Sequence, residues 1–235
     1  MHSNKYIFIY SVVMVLIVAV ALTVVAIQLK PAQENNIRIE KMQNILTSVN
    51  IVTTPKDAET IYKKVIISNL VTDSKGTEIS GVDAFSVDLA AEMKKPEADR
   101  KYPVYLARLD NGDTCFVFQL RGKGLWGPIW GYISLRSDMN SISGVMFDHK
   151  SETPGLGAEI STPAFMGQFK EKQIFDAQGN FTSVQVMKGG APEGDVHAVD
   201  AISGGTITSK GVEHMIHDCL LGYEAFIKKH NSTKP

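Results

Sequence analysis

Few of the usual marks of side-chain chemistry are found in this sequence. Only two cysteines occur among 235 residues, so no disulfide framework holds the chain together. Cys115 and Cys219 fall in strand-like and helical apolar settings and read as two buried thiols. A disulfide between them would require an oxidising compartment. Lysine and arginine number 24 against 25 aspartates and glutamates, a net charge of −1. That balance gives no case for nucleic acid or for an electrostatically held membrane surface. No Gly-x-Gly-x-x-Gly string leads from a strand into a helix, so a dinucleotide site is not indicated. The six histidines are scattered; His214 and His217 stand at helical spacing without a third metal ligand. No catalytic dyad, internal repeat or low-complexity segment is evident.

What the chain does have begins with an apolar run. Tyr6 to Leu29 is 24 residues without a charge, more than the roughly 20 that a helix needs to cross the hydrocarbon core. Ala19-Val20-Ala21 resembles a signal-peptide cleavage site, but the run stays apolar through Leu29, which favours an uncleaved anchor. Lys5 precedes the span, whereas Lys30, Arg38 and Lys41 follow it. This count leans toward a cytoplasmic C-terminal part, by a rule that weakens for long translocated domains.

Beyond the anchor, residues 34–50 read as a helix leaving the membrane. A second helix is expected from Pro55 through Ile67. Alternation from Val82 to Leu89 reads as a strand. Val104–Leu109 and Cys115–Leu120 flank Asn111-Gly112, a strong hairpin signal. Ile129–Leu135 and Ile142–Phe147 are two more strands, with a turn at Asp138-Met139-Asn140. Thr162-Pro163 opens a short helix, and a further strand runs from Phe181 to Met187. Strands and helices without regular alternation predict an α+β fold with a largely antiparallel sheet. The expected divisions are an anchor over residues 1–30, covering helices over 31–70 and a mixed domain over 71–235.

The rest of the chain is organised around Asp200-Ala201-Ile202-Ser203-Gly204-Gly205-Thr206-Ile207-Thr208-Ser209. A β-prone lead-in meets two glycines, then hydroxyls, then a helix. The helix is marked by Val212, Met215, Ile216, Cys219, Leu220, Tyr223, Phe226 and Ile227 at three- and four-residue spacing. Thr208 or Ser209 is its expected N-cap. Glycines before a helix start let backbone approach an anion that the helix dipole favours. Two more segments stand out. Gly122 to Gly131 packs four glycines, a proline and two tryptophans into ten residues, a bent connection whose rings stack on a flat ligand or plug the core. Taken alone, core plugging is the expectation there. Asp148 to Gly157 runs from a charged strand end into Thr153-Pro154-Gly155, a tight turn of the kind that lets main-chain N–H groups face a ligand.

Asp200-x-x-Ser203-Gly204-Gly205-Thr206 resembles the Asp-x-x-Ser/Thr-Gly-Ala-Thr signature of FMN-binding domains, with Gly205 where alanine is usual. In that family the flavin phosphate is esterified to the last threonine, here Thr206. Gly122-Lys123-Gly124-Leu125-Trp126 is similar to a segment of NqrC, the flavin-bearing member of sodium-translocating NADH:quinone oxidoreductases. Glu152-Thr153-Pro154-Gly155-Leu156-Gly157 is shared by the NqrC family and by RnfG, its relative in Rnf complexes, where it lies against the flavin ring. Gly-Leu-Trp and Met42-Gln43-Asn44-Ile45-Leu46 favour NqrC over RnfG.

The resemblance implies a one-electron relay by FMN bound covalently at Thr206, in a complex coupling NADH-to-quinone transfer to sodium export. It implies flavin contacts at Trp126, Glu152, Thr153, Gly155, Leu156, Ser203, Gly204, Gly205 and Thr208, with Lys210 offsetting phosphate charge. It further implies neighbouring membrane subunits as partners and attachment by a separate flavin transferase. The domain then lies on the extracytoplasmic side of the inner membrane, against the charge count. Other readings are the equivalent flavin protein of an Rnf-type complex, a stand-alone tethered flavoprotein reductase and an anchored module that has lost its flavin.

Overall fold

The computed structural model describes residues 3–231, which divide into two compact units on either side of the Lys41–Met42 bond. Helix α1, Asn4–Ser48, opens the chain, and its apolar first part is long enough to cross a membrane and exposed throughout. Pro31 lies inside it. The exit helix expected over 34–50 is therefore continuous with the anchor helix. The second unit takes in the last turns of α1, where Met42, Ile45 and Leu46 are buried.

The second unit is a five-stranded antiparallel sheet covered on both faces. Its strands are β1 (Ile66–Thr72), β2 (Tyr102–Arg108), β3 (Thr114–Lys123), β4 (Pro128–Arg136) and β5 (Ile142–His149), each beside the next in sequence. The hairpin expected at Asn111-Gly112 joins β2 to β3, pairing Ala107 with Cys115, and Gly112 takes the positive φ that the turn requires. Period-two alternation splits the core cleanly. Val104, Phe118 and Ile133 face one side, while Tyr105, Val117 and Tyr132 face the other. The second face is closed by Met42, Ile45 and Leu46 of α1 and by helix α2 (Ala58–Val65), which contributes Tyr62 and Val65. The first face is closed by the long helix α5, Thr206–Asn231, whose predicted stripe from Val212 to Ile227 is buried residue for residue. Each such side chain contributes about 1.5–3 kcal/mol relative to exposure. Cys115 and Cys219 are free and buried, as expected.

Several local expectations are corrected. The helix from Pro55 ends at Val65, and Ile66–Thr72 turns into edge strand β1. Val82–Leu89 forms no strand. It holds a 3-10 turn, Ala84–Ser86, and the start of helix α3, Leu89–Glu92. Asp83 and Asp88 cap these by accepting from the backbone N–H of Phe85 and Ala90. Helix α4, Pro163–Gly167, begins at Thr162-Pro163 as predicted. The strand expected over 181–187 shrinks to β6, Gln185–Met187, which pairs in parallel with β7, Ala198–Asp200. Helix α5 starts at Thr206, so Thr208 and Ser209 lie in its first turn and are not its N-cap.

Candidate functional site

Three segments converge at one end of α5: the connection between β3 and β4, the turn after β5, and the glycine pair after β7. Two close approaches hold α5 there. A Cβ on Gly211 would strike the carbonyl oxygen of Lys123, and one on Gly122 would lie 2.6 Å from Met215 Cβ. Glycine at these positions lets helix and strand touch through backbone.

The glycine pair folds tightly onto the helix start. Gly204 has φ +75°, Gly205 N–H donates to the Ile202 carbonyl (3.0 Å), and Ile202 N–H donates to Ser209 Oγ (3.0 Å). A Cβ on Gly204 would sit 2.6 Å from Leu156 Cδ2. A Cβ on Gly205, where the family signature carries alanine, would sit 2.9 Å from Ile202 Cγ2, so glycine is the residue that Ile202 permits here.

Between these segments lies a cleft of about 240 Å³, lined by Leu125 and Trp126, by Glu152, Thr153, Leu156 and Gly157, and by residues 204–208. Leu125, Trp126, Leu156 and Ile207 are all exposed, with Trp126 at 68%. A monomer leaves so many large apolar side chains around one concavity where a flat apolar ligand belongs. The expectation that both tryptophans plug the core fails. Trp126 faces solvent, and Trp130 lies half-buried under the Arg121 guanidinium, 5.6 Å from its ring centre. A second hollow of about 510 Å³, lined by Lys188, Gly189, Gly190, Asp200 and Ser203, shares Gly204 and Thr206 with the first.

Glu152 is the polar centre of the cleft wall. It is 5% exposed. One oxygen accepts from Trp126 N–H (2.8 Å) and Gly127 N–H (3.3 Å), and the other accepts from Thr208 Oγ1–H (2.6 Å). Burial pushes its carboxyl pKa up; hydrogen bonds from Thr208 and the amides of Trp126, Gly127 and Leu125 outweigh burial and leave it lowered. Its own N–H donates to His149 Nδ1 (3.2 Å), so His149 supports the turn.

The cleft thus gathers Trp126, Glu152, Thr153, Leu156, Gly204, Gly205, Thr206 and Thr208 from the sequence-derived set. Three others stand elsewhere. Ser203 lines the second hollow, and Gly155 sits at the exposed tip of its turn with φ +74°. Lys210 pairs within α5 with Glu213 (2.7 Å), whose carboxylate also accepts from Val186 N–H (2.6 Å), so Glu213 fastens α5 to β6 and Lys210 is held beside it. Sequence reasoning omitted Leu125, Gly157 and Ile207, although each lies inside a string already singled out. Among the described residues no cluster of three or more metal-ligating side chains occurs.

The residues fit a flavin mononucleotide. The apolar rim suits a flat ring system, and the Gly204-Gly205 cradle at the start of α5 suits its phosphate. A family model described as an FMN-binding domain matches residues 124–221, a span that contains every residue lining the cleft. The NqrC protein of the Na(+)-translocating NADH-quinone reductase of Vibrio vulnificus is 30% identical over 233 residues, covering 91% of this chain and 90% of that protein. Its Haemophilus ducreyi counterpart is 33% identical over 219 residues, covering 87% and 83%. The crystal structure of the Parabacteroides distasonis counterpart superposes with a TM-score of 0.78 at 44% identity, covering 85% of this chain and 96% of that one. The antiparallel α+β fold, the matched cleft and near full-length similarity agree: the chain belongs to the NqrC family of the Na(+)-translocating NADH-quinone reductase.

Proposed function

We propose that this chain carries FMN as a phosphoester on Thr206 Oγ1 and relays single electrons between neighbouring redox centres of a sodium-translocating NADH:quinone reductase. The observation that carries the reading is that Thr206, the last residue of the signature, opens α5 and lines the apolar cleft. When bound, FMN supplies the one-electron chemistry. The protein supplies position. The amide-rich helix start favours the phosphate. Trp126 and Leu156 offer apolar surface to the ring, and Leu125 and Ile207 restrict water at the rim. A covalent tether retains the cofactor in a cleft open enough for transfer to a neighbour, which a deep pocket would hinder.

In this reading the other subunits of the complex donate and accept the electron, and transfer is coupled to sodium export. A separate flavin transferase makes the attachment outside the cytoplasmic membrane. The FMN domain then lies on the extracytoplasmic side, and α1 anchors it. The test is co-expression with a flavin transferase, full denaturation, intact mass and in-gel flavin fluorescence, alongside Thr206→Ala. The expected result is a mass gain of FMN minus water, absent in the variant. Wild-type chain without covalent flavin refutes the assignment of Thr206.

A further inference from the structure

We infer that Glu152 is a positioning residue that fastens the Trp126 loop to the first turn of α5 and sets a fixed negative charge in the wall of the flavin cleft. The inference rests, for its redox part, on the FMN reading above; its mechanical part stands without a flavin.

The geometry argues against direct ligation by Glu152. Both carboxylate oxygens are spent on protein donors: Oε1 on the N–H groups of Trp126 and Gly127, Oε2 on the Thr208 hydroxyl. These partners lie 25 to 56 residues away in sequence, so one side chain joins all three segments of the cleft. The carboxylate is also enclosed. A Cβ at Gly124 would lie 2.5 Å from Oε1, and one at Gly157 would lie 2.5 Å from both Oε2 and Thr208 Oγ1. Two glycines leave room for this carboxylate and for nothing more. What it holds is the exposed apolar rim: Leu125 and Trp126 precede Gly127 on the fastened loop, and Ile207 precedes Thr208 on the helix. A ring bound between Trp126 and Leu156 would find its spacing set by this junction. A buried anion in that wall opposes adding an electron to the ring and so lowers its midpoint potential.

Three variants separate the two roles. Glu152→Gln retains the shape: its amide oxygen accepts from the loop, its NH2 donates to the Thr208 oxygen, and the charge is gone. Glu152→Ala removes shape and charge together. Thr208→Val removes the hydroxyl and leaves the loop amides and Glu152 in place. The first readout is amide hydrogen exchange of residues 125–127, measured on the full chain in detergent in a Thr206→Ala background, which lacks the hydroxyl proposed to carry the flavin, without added FMN. Exchange in Glu152→Ala should accelerate by about ten- to a hundredfold, with most protection restored by glutamine. Thr208→Val should also accelerate it, although Thr208 does not touch those amides, because the effect passes through Glu152. Unchanged exchange in a folded Glu152→Ala or Thr208→Val protein overturns the fastening. The second readout is the midpoint potential of the flavin on otherwise wild-type chain. Glu152→Gln should shift it positive; an unchanged or negative shift overturns the charge role. Failure of the FMN assignment shows separately, as missing flavin mass on wild-type chain, and leaves the exchange experiment standing.

Discussion

Gly211→Ala provides a test in which two general rules give opposite signs. Glycine inside a helix costs about 1 kcal/mol relative to alanine, so propensity alone predicts stabilisation by that amount. Gly211 lies in the first turns of α5, where a Cβ would strike the Lys123 carbonyl and approach Gly124 Cα to 3.4 Å. These are backbone atoms at the end of β3, held by the pairing of Lys123 with Pro128 and by the Gly124 N–H to Gly127 carbonyl bond of 2.8 Å. They cannot swing aside as a side chain does, so the insertion behaves as overpacking, at about 1–3 kcal/mol. We take the upper part of that range because the obstacle is backbone. Subtracting the propensity gain leaves a loss of about 1–2 kcal/mol. For a unit of this size that lowers Tm by about 2–8 °C. Differential scanning calorimetry of the full chain in detergent reads it directly. A Tm equal to or above wild type would refute the claim that helix and strand meet here through backbone.

Three more outcomes are expected. Tyr223 Oη donates to the carbonyls of Pro103 (2.9 Å) and Gln119 (3.3 Å) in the core, so Tyr223→Phe should cost about 1–2 kcal/mol by denaturant titration; no loss would deny these bonds a net role. Burial pushes the Cys219 thiol up to about 12, so an alkylating reagent at pH 8 should leave it unlabelled in native protein and modify it after unfolding. Glu152 has a lowered folded-state pKa, so its ionised form contributes stability above the ordinary value of 4.5, and that contribution is lost as pH falls through the folded value. The Tm advantage of wild type over Glu152→Gln should therefore be full at pH 7 and shrink in acid; an advantage that grows in acid contradicts the sign.

Much of the fold was legible because its cues are local. Asn111-Gly112 between two β-prone apolar runs dictates a hairpin, and the stripe from Val212 to Ile227 dictates a helix buried on one side. The failures also have physical causes. Val82–Leu89 alternates, yet Asp83 and Asp88 hold their places as caps, not as the polar side of a strand. Ile66–Thr72 follows helix α2 directly and buries only its ends, so neither period marks it. At the site, the strings carrying Trp126, Leu156 and Thr206 could be read in the chain. The Glu152 junction could not, because hydrogen bonds across 26 and 56 residues leave no local trace. The exposure of Trp126 was misread for the same reason: a tryptophan among glycines gives no sign of whether its surroundings close over it.

The order of the elements carries a consequence for biosynthesis. The strands β1 to β5 form a meander in which each pairs with its neighbour in sequence, so the sheet can grow as the chain is made. The helix bearing Thr206 is synthesised after all of them, yet it closes one face of that sheet and completes the cleft wall. If the attachment proposed at Thr206 requires the finished cleft, it can occur only on chains whose strands are already made and covered. Flavin attached at that position would report correct folding, molecule by molecule.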